Sequence, residues 1–263
     1  MPFGAARISA SFILGSRADL PHRMSPSPTL TAFATSIRAG VATVRRWVFR
    51  LFLLALVGPF LAILPLNLIQ PLTTAVIVQR AVQRAIDGPR PIYPQRDVVS
   101  RAQISPNLRR AVLAAEDDRF YLHWGFDLEE IENAITKAKR GGRLRGASTI
   151  SQQVAKNLFL WEGRSLVRKG YEAYLTLVLE LCLPKDRILD LYLNLAEWGD
   201  GIFGAEMAAR RHFGVPAAKL SRDQAARLAA ILPSPRRWSP RGAVASARAG
   251  IILEKMQYAA PRP

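Results

Sequence analysis

Three carboxylates stand together at Glu116, Asp117 and Asp118, followed by Arg119, Phe120, His123 and Gly125. Ala111, Val112, Leu113 and Ala115 precede them, so the chain reaches Glu116 out of an apolar helix. A carboxylate in such a place can be desolvated, which raises its pKa and suits it to act as a general base. If the helix continues, Glu116, Phe120 and His123 fall at i, i+4 and i+7 and share a face. The competing reading of these residues alone is a solvated acidic helix end with a turn at Gly125. A second segment runs from Gly146 through Ser148, Thr149, Ser151, Gln152, Gln153 and Lys156 to Asn157. Hydroxyls at a helix start with a lysine one or two turns later can hold an anion, helped by the free N–H groups. Gln152 and Gln153 suit sugar hydroxyls or amides; the plainer alternative is an ordinary capped helix. In a third segment Arg168 and Lys169 precede Glu172. Arg168 and Glu172 are four apart, which is either a surface helix ion pair worth roughly 0.3–0.5 kcal/mol or a diphosphate clamp with a second carboxylate beside it. A fourth, Lys185 to Asn194, has Ile188, Leu189, Tyr192 and Leu193 at helical core spacing. Packing is its default, with Tyr192 and Asn194 as polar contacts. Gln224 to Pro233 reads as an Ala/Leu core helix ended by proline.

The elements that must position these groups are helices. Thr73–Ile86 places Val76, Val78, Ala81, Val82 and Ile86 near one face. Residues 87–104 are broken by Gly88, Pro89, Pro91 and Pro94 and form a connector. Ser105-Pro106 is an N-cap with proline at the first helical position. A helix follows through Leu108 and Val112, and another over Leu128–Lys139. Lys137–Arg145 packs five bases and two glycines into nine residues, a basic loop. Thr149 with Gln152 matches a capping box, so a helix starts near Ser148 and runs to Leu160. Further helical patterns cover Ser165–Leu183, Lys185–Leu195, Gly204–Phe213 and Asp223–Leu232. No segment sustains period-2 alternation, so strands are few and the class is all-α or nearly so.

Charge and hydropathy divide the 263-residue chain, whose net charge is +17. Residues 1–50 hold seven arginines and one acid; residues 51–70 carry no charge; residues 71–263 hold 30 bases and 19 acids. The apolar run Leu51–Ile69 is about 29 Å long as a helix, close to the thickness of a bilayer's hydrocarbon. Gly58, Pro59 and Pro65 are expected to kink or shorten it. Arg45, Arg46 and Arg50 flank its start, so as an uncleaved anchor, the reading preferred over a cleaved signal sequence or a buried core helix, it keeps the N-terminus in the cytoplasm and exports the rest. Residues 1–44, rich in Ser, Ala, Pro and Arg, read as a tail without a packed core. One cysteine, Cys182, excludes an intrachain disulfide and a Cys-rich zinc site. None of the three histidines makes an HExxH pair. Export separates the basic domain from nucleic acid, so nucleic-acid binding fits poorly.

The four segments together, in this order, resemble the peptidoglycan glycosyltransferase module of bacterial cell-wall polymerases, over roughly Val76–Pro240. The motifs that carry the likeness are Glu116-Asp117-x-x-Phe120-x-x-His123-x-Gly125, Gly146-x-Ser148-Thr149-Ile150-x-Gln152-Gln153-x-x-Lys156-Asn157, Arg168-Lys169-x-x-Glu172, and Lys185-x-x-Ile188-Leu189-x-x-Tyr192-Leu193-Asn194. The resemblance implies a lysozyme-like, all-α glycosyltransferase domain behind a single N-terminal transmembrane helix. Its implied organisation is a basic cytoplasmic tail (1–46), an anchor (47–70), a connector with a membrane-proximal helix (71–95), a catalytic domain (96–245) and a C-terminal tail (246–263). It implies lipid II as substrate and the growing glycan chain as partner, in the bacterial inner membrane with the catalytic domain periplasmic. Cell-division or elongation proteins are the expected class of protein partner. By carry-over, Glu116 is the general base and Glu172 the second essential carboxylate. Lys156, Arg168 and Lys169 offset the leaving diphosphate's charge. Ser148, Gln152, Gln153 and Asn157 position the donor, and Asp117 and His123 join the substrate-binding set. No cofactor is required; a divalent cation, Mg²⁺ or Mn²⁺, is compatible with a diphosphate. The alternative is a lytic transglycosylase or lysozyme-like glycan-cleaving enzyme, but an uncharged leaving sugar needs no Lys/Arg clamp. A bifunctional penicillin-binding protein would need Ser-x-x-Lys and Lys-Thr-Gly motifs, and neither occurs.

Overall fold

The computed structural model describes residues 28–87, 95–141, 148–163 and 165–258. The chain divides into two compact units after Leu53. Helix α1 (Pro28–Ile63) crosses that division. Within the first unit it carries Arg50 over the Trp47 ring at 5.2 Å. The span Gly40–Asn67 is long and apolar enough to cross a membrane, with a mean hydropathy of 2.2. Part of the expected tail, from residue 28 on, is therefore helical, while residues 1–27 lie outside the described residues. Helix α1 passes through Gly58 and Pro59 and ends at Ile63, where Pro65 opens a 3₁₀ turn over Leu64–Asn67.

The second unit is helical with one small sheet. Its helices are α2 (Ala75–Asp87), α3 (Pro106–Glu116), α4 (Leu128–Lys139), α5 (Ile150–Phe159), α6 (Leu166–Cys182), α7 (Lys185–Leu195), α8 (Ala205–Phe213), α9 (Arg222–Ile231) and α10 (Ala243–Tyr258). Strands β1 (Gln95–Arg96), β2 (Glu197–Gly199) and β3 (Ile202–Phe203) lie in the order β1-β3-β2. β1 runs parallel to β3, with Gln95 opposite Ile202, and β2 pairs antiparallel. Few strands and many helices match the expectation from periodicity.

Local chemistry explains the helix starts. The Ser105 hydroxyl accepts from Asn107 N at 3.2 Å and donates to Leu220 O at 3.0 Å, with Pro106 inside the first turn of α3. Thr149 and Ser221 open α5 and α9 with reciprocal capping boxes to Gln152 and Gln224. The core forms where α3 packs against α9 and α10, and α5 against α6 and α7. Trp198, Tyr192, Phe120 and Phe203 are its largest fully buried side chains.

One boundary differs from the expectation. The resemblance implies a tail over residues 246–263, yet α10 spans residues 243–258 and buries Ala245, Ala249, Ile252 and Met256 in the core. The stripe repeats at 4, 3 and 4 residues, a helical face built half of alanines, so its hydropathy signal is faint.

Candidate active site

Glu116 is the last residue of α3, because Asp117 turns extended at φ −166° and ψ 77°. The expected shared face with Phe120 and His123 therefore does not form. Phe120 is buried in a separate 3₁₀ turn over Phe120–Leu122, and His123 follows in extended backbone. What ends α3 is the Asp117 side chain. Its Oδ2 accepts from Ile150 N at 2.9 Å, and its Oδ1 lies 2.9 Å from His123 Nε2. Asp117 and His123, expected as substrate groups, direct their bonds into the protein, and their side chains are only 2% and 9% exposed. They position Glu116 against the start of α5.

Glu116 Oε2 accepts from Gln153 Nε2 at 2.9 Å, and the Tyr192 hydroxyl donates to Gln153 Oε1 at 3.2 Å. Burial pushes the Glu116 carboxyl above its ordinary pKa; the Gln153 hydrogen bond and the charges of Arg248 and Lys156 pull it back down. The Tyr192 hydroxyl, wholly buried, is pushed well up, so it stays a protonated donor to Gln153. The relay Tyr192–Gln153–Glu116 thus holds one face of the carboxyl by hydrogen bonds.

Helix α5 supplies most of the second motif, but not all of it faces outward. Gln152 Oε1 accepts from Thr149 N at 3.0 Å, so this expected donor-binding residue is committed to the capping box and is buried. The Thr149 hydroxyl donates to Gly125 O at 2.6 Å. Gly125 sits at φ +78°, and a Cβ there would come within 2.7 Å of Thr176 Cγ2. Ser151 bonds to Glu180, which also takes Lys185 Nζ at 2.7 Å. Ser148 is exposed at the mouth of the site. Gly146, Ala147 and residues 142–145 of the predicted basic loop lie outside the described residues, while residues 137–139 of that loop are instead the last turn of α4.

The third motif forms on the first turns of α6. Arg168 Nη1 meets Glu172 Oε2 at 2.8 Å, and Lys169 Nζ bonds the other oxygen, with Glu172 only 3% exposed. This is a buried carboxylate held between two bases, not the exposed surface pair that spacing alone allowed. Lys156 is in electrostatic reach of all three. Burial lowers its pKa; Glu172 and Glu162 raise it, while Arg168 and Lys169 lower it further. Both Glu172 oxygens face cationic side chains, which makes it a counter-charge for the bases rather than a metal ligand. Asp117, His123 and Asp127 bring one donor atom each within 4.8 Å of one another. Asp117 spends both oxygens as above, and Asp127 Oδ1 accepts from Glu130 N at 3.0 Å.

Two cavities meet here. One of about 450 Å³ is lined by Gln153, Lys156, Asn157 and Tyr192 together with Arg236 and Arg237. One of about 170 Å³ is lined by Glu116, Asp118, Asp127, Glu130, Ser148 and Lys255. The Glu116–Gln153 hydrogen bond joins them. The larger is basic and the smaller acidic, so an anionic group and a neutral or cationic one have separate places on either side of the base. Several bases here escaped sequence reasoning. Arg236 and Arg237 follow the predicted core helix in a proline-rich turn. Arg248 sits in the segment read as tail; it donates to Ala230 O at 3.0 Å and stacks on Trp238.

A family model described as Transglycosylase matches residues 86–257. The chain is 51% identical over 219 residues to a biosynthetic peptidoglycan transglycosylase of Pseudomonas putida, covering 82% of this chain and 92% of the relative. It is 52% identical over 202 residues to one of Pseudomonas entomophila, covering 76% and 85%.

Proposed function

The chain belongs to the transglycosylase family and is a glycosyltransferase, and we propose that it polymerises lipid II into β-1,4 glycan strands for peptidoglycan. The observation that carries the reading is the half-buried, hydrogen-bonded Glu116 at the junction of a basic and an acidic cavity. Lys156 and the Arg168–Lys169–Glu172 cluster stand nearby.

The acceptor's 4-hydroxyl attacks the anomeric carbon of the donor from the face opposite the diphosphate. The new C–O bond forms as the bond to the diphosphate oxygen breaks, and configuration inverts. Glu116 takes the hydroxyl proton. Its raised pKa makes it a stronger base, while Gln153 and the nearby positive charges favour its ionised form. The departing diphosphate gathers negative charge, which Lys156, Arg168 and Lys169 stabilise. Glu172 keeps the two α6 bases pointed and pre-organised. Gln153, Asn157 and Ser148 line the cavities where donor and acceptor hydroxyls would be held. The enzyme is membrane-anchored through α1, with its N-terminus cytoplasmic and its catalytic unit periplasmic, as the arginine flank favours.

Glycan cleavage is the weaker reading, because a cleaved sugar leaves without charge and gives the base cluster no task. The test is fluorescent lipid II incubated with the full-length protein, products resolved on a gel. The wild type should give a polymer ladder, and Glu116→Gln none, at unchanged folding. A ladder in the mutant would remove Glu116 from its role. Purified glycan cut by the wild type, with no ladder, would replace polymerisation with cleavage.

A further inference from the structure

The larger, basic cavity has two carboxylates on its wall, Glu162 and Glu197, beside Lys156, Arg236 and Arg237. An acid in that place repels a diphosphate and competes with it for the nearest base. Both acids end on one guanidinium. Arg80 of α2, only 3% exposed, sets Nη2 at 2.5 Å from Glu162 Oε1 and Nε at 3.2 Å from Glu197 Oε2. Its Nη1 donates to Gln83 Oε1 at 2.8 Å.

The two acids differ in what else holds them. Glu197 is tied a second time, because its Oε1 accepts from Gly201 N at 3.1 Å, and its side chain is 9% exposed. It has no room to turn toward the cavity. Glu162 stands just past the end of α5 with a side chain 42% exposed. Among the described residues its carboxylate has Arg80 as its one hydrogen-bond and ion-pair partner. The Glu162 N–H donates to Gln79 Oε1 at 2.8 Å, so α2 holds this residue by backbone and side chain together. Lys156 lies within electrostatic reach of Glu162. Among the described residues the Lys156 ammonium makes no hydrogen bond or ion pair of its own. A half-exposed carboxylate next to an unpaired ammonium closes on it unless something stronger holds the carboxylate back.

We propose that Arg80 is a positioning residue for the anion site: it holds the Glu162 carboxylate away from Lys156 and so leaves that ammonium to the departing diphosphate. The buried guanidinium outcompetes Lys156 because it is fixed in place by Glu197 and Gln83 before Glu162 arrives. The inference rests on reading Lys156 as a diphosphate-binding base. A plain staple between α2 and the chain after α5 would need the Arg80–Glu162 contact, but releasing it would do no harm through the charge on Glu162. That difference separates the two.

The test uses the full chain in detergent, as wild type, Arg80→Gln, Glu162→Gln and the double variant. Inorganic pyrophosphate binding is followed by calorimetry, and initial rates are taken with fluorescent lipid II. A released Glu162 that occupies Lys156 in most molecules lowers apparent affinity by the fraction left free. Arg80→Gln should therefore raise the pyrophosphate Kd and the KM about fivefold, with kcat within about twofold of wild type. Removing the released charge should undo this, placing the double variant within about twofold of Glu162→Gln alone. A double variant as weak as Arg80→Gln would overturn the proposal and leave Arg80 a staple. Arg80→Gln strands the buried Glu197 charge and could cost the fold. The same comparison is therefore repeated on Arg80→Gln/Glu197→Gln, with and without Glu162→Gln, where the same order is expected and equal Kd values would overturn the proposal. Pyrophosphate binding needs no turnover. A wild type that shows this order of affinities and makes no polymer would sink the polymerase reading and leave the role of Arg80 standing.

Discussion

The Glu116 carboxyl feels two opposed influences. Burial raises its pKa, whereas Gln153, Arg248 and Lys156 favour its charged form. Only the ionised carboxylate accepts a proton, so turnover falls as pH drops through that pKa, and the acid limb lies above the ordinary glutamate value. Gln153→Leu removes the hydrogen bond to the carboxylate and should move the acid limb up by roughly one pH unit. Initial rates across pH, read as kcat/KM, check this; an unmoved limb would show that Gln153 does not tune the base. Burial lowers the Lys156 pKa, so the alkaline limb falls below the ordinary lysine value as its charge is lost. Stability carries the reverse sign. A carboxyl whose folded pKa is raised destabilises the fold above that pKa and costs nothing below its unfolded value. Glu116→Gln should therefore melt about 2–4 °C higher at pH 7, with the gain vanishing below about pH 4. Glu116, Lys156 and Glu172 were legible because their residue types stand at defined spacing in ordered motifs. Arg248 was not, since its importance comes from α10 folding back beside α3 and α9, a relation that local sequence does not contain.

At the scale of elements, the junction of α3 with α5 fixes the base. Asp117 ties the end of α3 to Ile150 N, and Thr149 ties the start of α5 to Gly125 O. Gly125 is held where a side chain is doubly penalised, by φ +78° and by Thr176 Cγ2 at 2.7 Å from a built Cβ. Gly125→Ala should cost about 1–3 kcal/mol and depress activity more than stability alone explains, because the junction carries Glu116. Adding Thr176→Ser deletes the clashing methyl and should recover part of the loss, leaving the share due to φ. Chemical unfolding of the two variants separates the shares, and a Gly125→Ala protein as stable as wild type would refute the account. The capping box at Thr149 was readable, because its partners lie three residues apart. The end of α3 was not, because no glycine or proline marks it: a carboxylate bonded to a residue 33 positions away does.

For the whole molecule the decisive piece is the last helix. The organisation implied by the resemblance ends the catalytic domain at 245, and the narrow, alanine-weighted stripe of Ala245, Ala249, Ile252 and Met256 gives little sign of a further core helix. In the fold that stripe closes the core: α10 packs on both α9 and α3, the helix that ends in Glu116. It also carries Arg248 to Ala230 O, and Lys255 to within 3.4 Å of Asp118 at the rim of the acidic cavity. Removing it would uncover buried surface on two helices and take away one of the charges that keeps Glu116 ionised. A chain ending at residue 242 should therefore lose cooperative thermal unfolding, elute as aggregate in detergent and form no polymer. A chain ending at 258 should match the full protein in melting temperature and turnover. The contrast is informative because the two truncations differ only by α10. If the shorter chain melted like wild type but had an acid limb shifted to higher pH, α10 would act on the base alone. The core argument for it would then fail, and the electrostatic one would stand.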